Sequence, residues 1–390
     1  MQRLWNRHAT VLPIILLGLT GSTVSLVLPG LLAAAGLEES GASRVISMEM
    51  MAAALSTVLV SPFLGRVNRR WLALAAVAIA LGADLLATRP QWAAMLPTVR
   101  FAAGLAEGTV LAVAVAYVAG TPLPDRTMAF FVASNLSMAT LILRALPTAV
   151  SVFGHPGAFW TLAVLAVASF IAGTTLSSQA GARPHEHGAA ASAHLTATSR
   201  PASVIPIVMG LAANVVFFTG VGSVWPLMAS FASQIDVPLA VTSRVLSDAT
   251  LGGIAGAMLA AWLAVRCDRR TAFAGGTVAM LISLIVLANA AGATGFACSA
   301  VLFMASLMFL VPSYVSVLAL ADPQGRAAAF TMATQYAGLA LGPMLASDLN
   351  SGGQYVGSLI AGGGLALVGT ALMICTEGMA GGGRRTAEMA

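Results

Sequence analysis

Six charged residues stand inside long apolar stretches of this 390-residue chain: Glu49, Asp84, Arg100, Glu107, Arg144 and Asp248. A charge in such surroundings costs several kcal/mol unless it is paired or hydrated, so these residues are the first candidates for chemistry. Asp84 and Asp248, with Asp348 further on, lie near the ends of their stretches, where we expect interfacial residues in touch with water. Glu49, Arg100 and Arg144 lie deeper, each about 8–10 Å from the same end of its stretch at 1.5 Å per residue. All three belong to the first half of the chain and can form one ion-paired cluster. Arg100 and Glu107 are seven apart and share a helix face. Burial would disfavour the charge on Glu107 and a nearby arginine would favour it, the balance that suits a proton- or substrate-binding carboxylate. The alternative is a structural ion-pair partner. Arg144 has no obvious partner in its own stretch; a guanidinium there either binds an anionic substrate in bidentate fashion or neutralises Glu49 or Glu107.

Uncharged polar candidates complete the set. Asn135 and Gln335 are related by an offset of 200 residues. Asn214, Trp225, Tyr314 and Tyr336 can line the second half, since aromatic side chains with a polar tip suit cavity walls. Ordinary helix packing is the competing reading for each.

The elements that must hold these residues follow from composition. Hydrophobic residues are 58% of the chain, charged residues 8%, and the mean hydropathy is +0.89. A water-soluble domain carries about 25% charged residues. A soluble enzyme, a disordered chain and a disulfide scaffold are excluded, leaving a polytopic all-α membrane protein. Spanning helices need about 20 mostly apolar residues. Twelve stretches qualify: 9–35, 44–65, 71–88, 92–120, 126–152, 156–176, 203–234, 241–265, 271–291, 294–320, 325–349 and 354–377. The first is longer than the apolar core of a signal peptide, and we read it as a retained helix. The polar stretch 177–202 reads as a cytoplasmic linker between bundles 1–176 and 203–390. His185 and His187 belong to that linker, and we expect no metal there.

All 19 basic residues are arginine. Without lysine there is no Walker A loop and no Schiff-base chemistry. The arginines are scattered through short loops, so the net charge of +5 does not point to nucleic acid. Cys267, Cys298 and Cys375 form no metal or disulfide framework. With both termini in the cytoplasm, 14 arginines fall on that side and three (Arg44, Arg89, Arg244) on the other. That bias satisfies the positive-inside rule.

The chain also repeats itself. Ser43-Arg44-Val45-Ile46-Ser47 recurs as Ser243-Arg244-Val245-Leu246-Ser247, and Arg66-Val67-Asn68-Arg69-Arg70 as Arg266-Cys267-Asp268-Arg269-Arg270. Arg126, Ala129 and Phe130 recur as Arg326, Ala329 and Phe330. Three matches at one offset mean duplicated six-helix halves, the arrangement that alternating access uses.

These features resemble the major facilitator superfamily over essentially the whole chain. The family's loop pattern G-x-x-x-D-[RK]-x-G-R-[RK] corresponds to Ser61 through Arg70, with the basic positions Arg66, Arg69 and Arg70 kept and Gly65 in place of the acid. The second half keeps Arg266, Arg269 and Arg270, again without that acid. The resemblance implies that these six arginines belong to cytoplasmic gating loops. The fourth stretch matches R-x-x-x-G-x-x-x-G at Arg100, Gly104 and Gly108. The glycine-proline motif of many drug/proton antiporters is missing from the fifth stretch.

The resemblance implies twelve transmembrane helices in two pseudo-symmetric six-helix bundles, acting as a secondary transporter of a small organic solute. It implies a bacterial inner membrane with both termini cytoplasmic, no catalytic residues, no cofactor, the proton gradient as driving force and a functional monomer. Efflux is slightly favoured. Uptake of an organic anion through Arg100 and Arg144 is the alternative, and a non-transporting receptor or scaffold a lesser one.

Overall fold

The structure is a computed structural model that describes residues 11–17, 39–64, 66–119, 124–154, 156–176, 204–263, 266–321, 326–350 and 355–388. No strand occurs among them. The first-half helices are α1 (Val11–Leu17), α2 (Glu39–Val60), α3 (Arg69–Ala87), α4 (Leu96–Ala119), α5 (Pro124–Phe153) and α6 (Pro156–Thr175). The second half has α7 (Val204–Gly222), α8 (Leu239–Leu263), α9 (Arg269–Ala288), α10 (Ala293–Ala321), α11 (Arg326–Leu349) and α12 (Val356–Glu388). By length and composition, eight spans among the described residues can cross a membrane. Two compact units divide the chain, one centred on residues 48–176 and the other on residues 204–388 with the first turns of α2.

The duplication carries into the elements. Helices α2 and α8 begin at 39 and 239, α3 and α9 at 69 and 269, and α6 and α12 at 156 and 356. Burial runs in the same register: Val110 and Leu310 are both fully covered, as are Ala114 and Tyr314. Local caps differ. Asn68 opens α3 by accepting from the backbone N–H groups of Arg70 (3.1 Å) and Trp71 (3.4 Å). Asp268 holds the same place before α9 and makes no side-chain cap.

Two expectations need correction. The stretch 203–234 is not one continuous helix: α7 stops at Gly222, a 3₁₀ turn spans Trp225–Leu227, and Met228–Gln234 resumes as α-helix. Pro226 has no N–H to give to the ladder, which accounts for the break there. The stretch 92–120 begins as a 3₁₀ segment, Pro90–Met95, before α4. That turn packs Trp92 against a small core of Ala83, Val99 and Ala103. The first stretch is described only over Val11–Leu17, and linker 177–202 lies outside the described residues.

Within the first unit, α4 approaches α2 closely. A Cβ on Gly104 would collide with the Glu49 carbonyl oxygen, and one on Gly108 with the Ala53 carbonyl. The glycine pair four residues apart thus lets two backbones touch. The second unit makes the matching contact with glycines on the other partner: Gly253 on α8 faces Met304, and Gly256 faces Ala305. Its core is aromatic. The Tyr314 ring lies 4.6 Å from Phe217 and 5.5 Å from Phe273, between centroids.

Candidate functional site

The α2–α4 contact sets the geometry of the buried charges. Backbones that close bring Glu49 on α2 beside Arg100, four residues before Gly104 on α4. The guanidinium of Arg100 donates to both oxygens of Glu49, Nε to Oε2 at 2.8 Å and Nη2 to Oε1 at 2.5 Å. Its Nη1 donates to Asp84 Oδ1 on α3 at 2.5 Å. Nη2 also reaches Glu107 Oε1 at 3.5 Å, two turns along the same helix. The Phe159 ring of α6 lies beneath, 5.9 Å from the guanidinium carbon. The side chains of Arg100 and Glu49 are fully covered, with Asp84 at 4% and Glu107 at 9% exposed.

Glu49, Arg100 and Glu107 therefore do come together. Asp84, expected at a wet interface, is buried among them instead. Its depth explains the error. Asp84 lies one turn before the end of α3 and Arg100 one turn into α4, so a tight α3–α4 hairpin sets them level. The 3₁₀ turn with Trp92 then shields that end from solvent. The hairpin spacing was the signal that could have found it. Arg144 on α5, Asp248 and Asp348 are exposed, unlike these four residues.

The duplicated half supplies an internal control. At the positions 200 residues on from Glu49, Asp84, Arg100 and Glu107 stand Ala249, Leu284, Ala300 and Leu307. All four are buried. The same six-helix architecture is thus packed with aliphatic side chains where the first half carries four charges. Buried ion clusters seldom exceed well-packed apolar residues in stability. Stability alone gives no reason for the cluster.

The other candidates are placed as follows. Asn214 on α7 is fully buried and donates to the Thr331 carbonyl (3.1 Å) and to Thr334 Oγ1 (2.7 Å) on α11. Tyr314 is buried with its hydroxyl 3.0 Å from Thr370 Oγ1. Trp225 is buried and stacks parallel to Phe303 at 6.2 Å. Asn135 donates to the Phe131 carbonyl of its own helix at 2.8 Å and is half-buried, as are Gln335 and Tyr336. Of the loop arginines, Arg69 donates to the carbonyls of Leu64 (2.9 Å) and Ala116 (3.4 Å), and Arg269 pairs with Glu377 at 3.1 Å. Arg266 lies over the Trp262 ring at 4.2 Å. Arg70 is half-buried, and Arg66 and Arg270 are exposed. No group of three or more His, Cys, Asp or Glu able to hold a metal occurs among the described residues.

The sequence model of the Major Facilitator Superfamily matches residues 11–343. No curated protein sequence matches the chain significantly. Among solved structures, the chain is similar to the nucleoside transporter NupG, with a TM-score of 0.70 and 13% identity over 94% of this chain and 98% of that one. It is similar to a D-xylose-proton symporter, with a TM-score of 0.72 and 13% identity over 94% and 96%. The same coverage is found for the xylose transporter XylE from E. coli in a partially occluded inward-open conformation, at 14% identity and a TM-score of 0.72.

Proposed function

This chain belongs to the major facilitator superfamily and is a transporter, and we propose that it is a proton-coupled secondary transporter of a small neutral or cationic organic solute. The observation that carries this reading is the four-charge cluster of the first half, set against four aliphatic residues in its duplicate. Three carboxylates around one guanidinium have a formal charge of −2 when all are ionised. An uncompensated buried charge is costly, so we assign proton exchange to this cluster. Glu107 is the carboxyl we assign to that exchange. It is the farthest from Arg100, at 3.5 Å, and the most exposed of the three. Glu49 and Asp84 hold the guanidinium in place.

Export, monomeric action and a bacterial inner membrane with cytoplasmic termini complete the proposal. The arginine distribution supports the orientation, and compact bacterial exporters of this length support the direction by analogy. Anion uptake through Arg100 fits the geometry less well, because its guanidinium already donates to three carboxylates. The test is solute movement in proteoliposomes of the purified chain under an imposed pH gradient. Glu107→Gln should abolish gradient-driven transport and leave solute exchange at equal pH intact. Gradient-driven transport that survives Glu107→Gln overturns the assignment.

A further inference from the structure

Two half-open cavities adjoin in the second unit, at Cys267 between α8 and α9. The first has a volume of about 480 Å³ and lies between α8, α9 and α10. The second, of about 540 Å³, reaches α12. They share Cys267, Ala272 and Phe309 in their walls. The first is almost wholly apolar; its Ser306 hydroxyl donates to the Leu302 carbonyl at 2.7 Å. The second carries Asp268, Arg269 and Glu377.

The lining of the apolar cavity differs in residue size from the first half. Ala255, Ala272, Ala279 and Ala305 line the apolar cavity, and the first half has Leu55, Leu72, Ile79 and Leu105 at those positions. A Cβ added at Gly275 meets nothing within 4 Å. Leu302 and Phe309 of the same lining stand where the first half has Ala102 and Thr109, so the space comes from how the helices pack; its volume is that of a small-ligand site.

The polar end has acceptors to spare. Glu377 gives Oε1 to Arg269 at 3.1 Å, while its Oε2 is buried with no hydrogen-bond partner. A buried carboxylate oxygen left this way is an acceptor waiting for a donor. Asp268 makes no cap to α9, unlike Asn68 in the first half. Three arginines stand nearby. Arg266 donates to the Trp262 carbonyl at 2.9 Å and lies over its ring. Arg269 holds Glu377, and Arg270 lies against Gly378. The charged residues lining the polar cavity are two carboxylates and one guanidinium.

We propose that this paired cavity is a binding site for an amphiphilic organic cation, a protonated amine at Glu377 and Asp268 with its apolar body between α8, α9 and α10. The ammonium supplies the donor that Glu377 Oε2 lacks, and the apolar body lies against Ala272, Ala279 and Phe309. The site lies within one unit and is separate from the four-charge cluster.

Cys267 lies in the wall of both cavities and is exposed, so it can report occupancy. The experiment uses the full chain carrying Cys298→Ser and Cys375→Ser, purified in detergent, and follows maleimide labelling of Cys267. Octylamine, octanoic acid and octanol are the probes. Octylamine should slow labelling about tenfold at roughly ten times its Kd, and the acid and alcohol should not. Ala279→Ile, distant from the ion pair, should abolish protection by filling the cavity, and Glu377→Gln should weaken it. Equal protection by octanoic acid or octanol overturns the proposed ligand class. Labelling that is already slow before any addition, and unchanged by the amine, identifies a resident lipid and also overturns it.

Discussion

Arg100 on α4 grips Glu49 on α2 through two parallel hydrogen bonds, across the same contact that Gly104 makes with the Glu49 backbone. One short stretch of α4 therefore both closes the helix pair and fixes the ion pair. The second half closes its equivalent pair without any charge.

Removing only the guanidinium should be far worse than removing the whole cluster. Arg100→Ala leaves three buried carboxyls without their cation and should cost about 3–5 kcal/mol. The combined variant Glu49→Ala, Asp84→Leu, Arg100→Ala, Glu107→Leu copies the residues of the duplicate and should recover most of that loss. Thermal unfolding in detergent compares the two. A combined variant no more stable than Arg100→Ala would count against a functional origin for the cluster.

The α2–α4 contact should be intolerant of side chains. Gly104→Val must push α4 away from the Glu49 carbonyl, so we expect poor folding and broken ion pairing. Gly275→Ala has open space and should change stability by less than about 1 kcal/mol. Comparable losses in the two variants, measured as yield and melting temperature, would contradict the glycine packing described above.

Arg144→Ala should cost less stability than Arg100→Ala, because the Arg144 side chain is exposed while Arg100 is fully covered. Under the proposed reading it also leaves proton-coupled movement of a neutral solute intact. Loss of transport confined to anionic solutes would revive the uptake reading with Arg144 as the anion ligand.

The buried tyrosine of the second unit gives a graded test. Tyr314→Phe keeps the ring between Phe217 and Phe273 and loses the hydroxyl contact with Thr370, so the cost should be about 0.5–1.5 kcal/mol. Tyr314→Ala empties a fully buried site and should cost about 3–5 kcal/mol. Equal effects would mean that the aromatic packing contributes little.

The sequence by itself determined most of the long helices, the duplication and the shared depth of Glu49 and Arg100. Apolar length is a property of consecutive residues, and a rise of 1.5 Å per residue converts position into depth. That is why Glu49 and Arg100 could be placed level with each other, and why Asp248 and Asp348 were expected at exposed positions. Depth says nothing about azimuth. Which way Asp84 faces and which carboxylates share one guanidinium are set by how helices pack side by side. Those choices depend on contacts between residues as far apart as Glu49 and Arg100, on a 3₁₀ turn that folds Trp92 over the hairpin, and on glycines that let backbones touch. Only the tertiary structure carried that lateral information. With it came the buried place of Asp84, the break in α7 at Pro226 and the hollow between α8, α9 and α10.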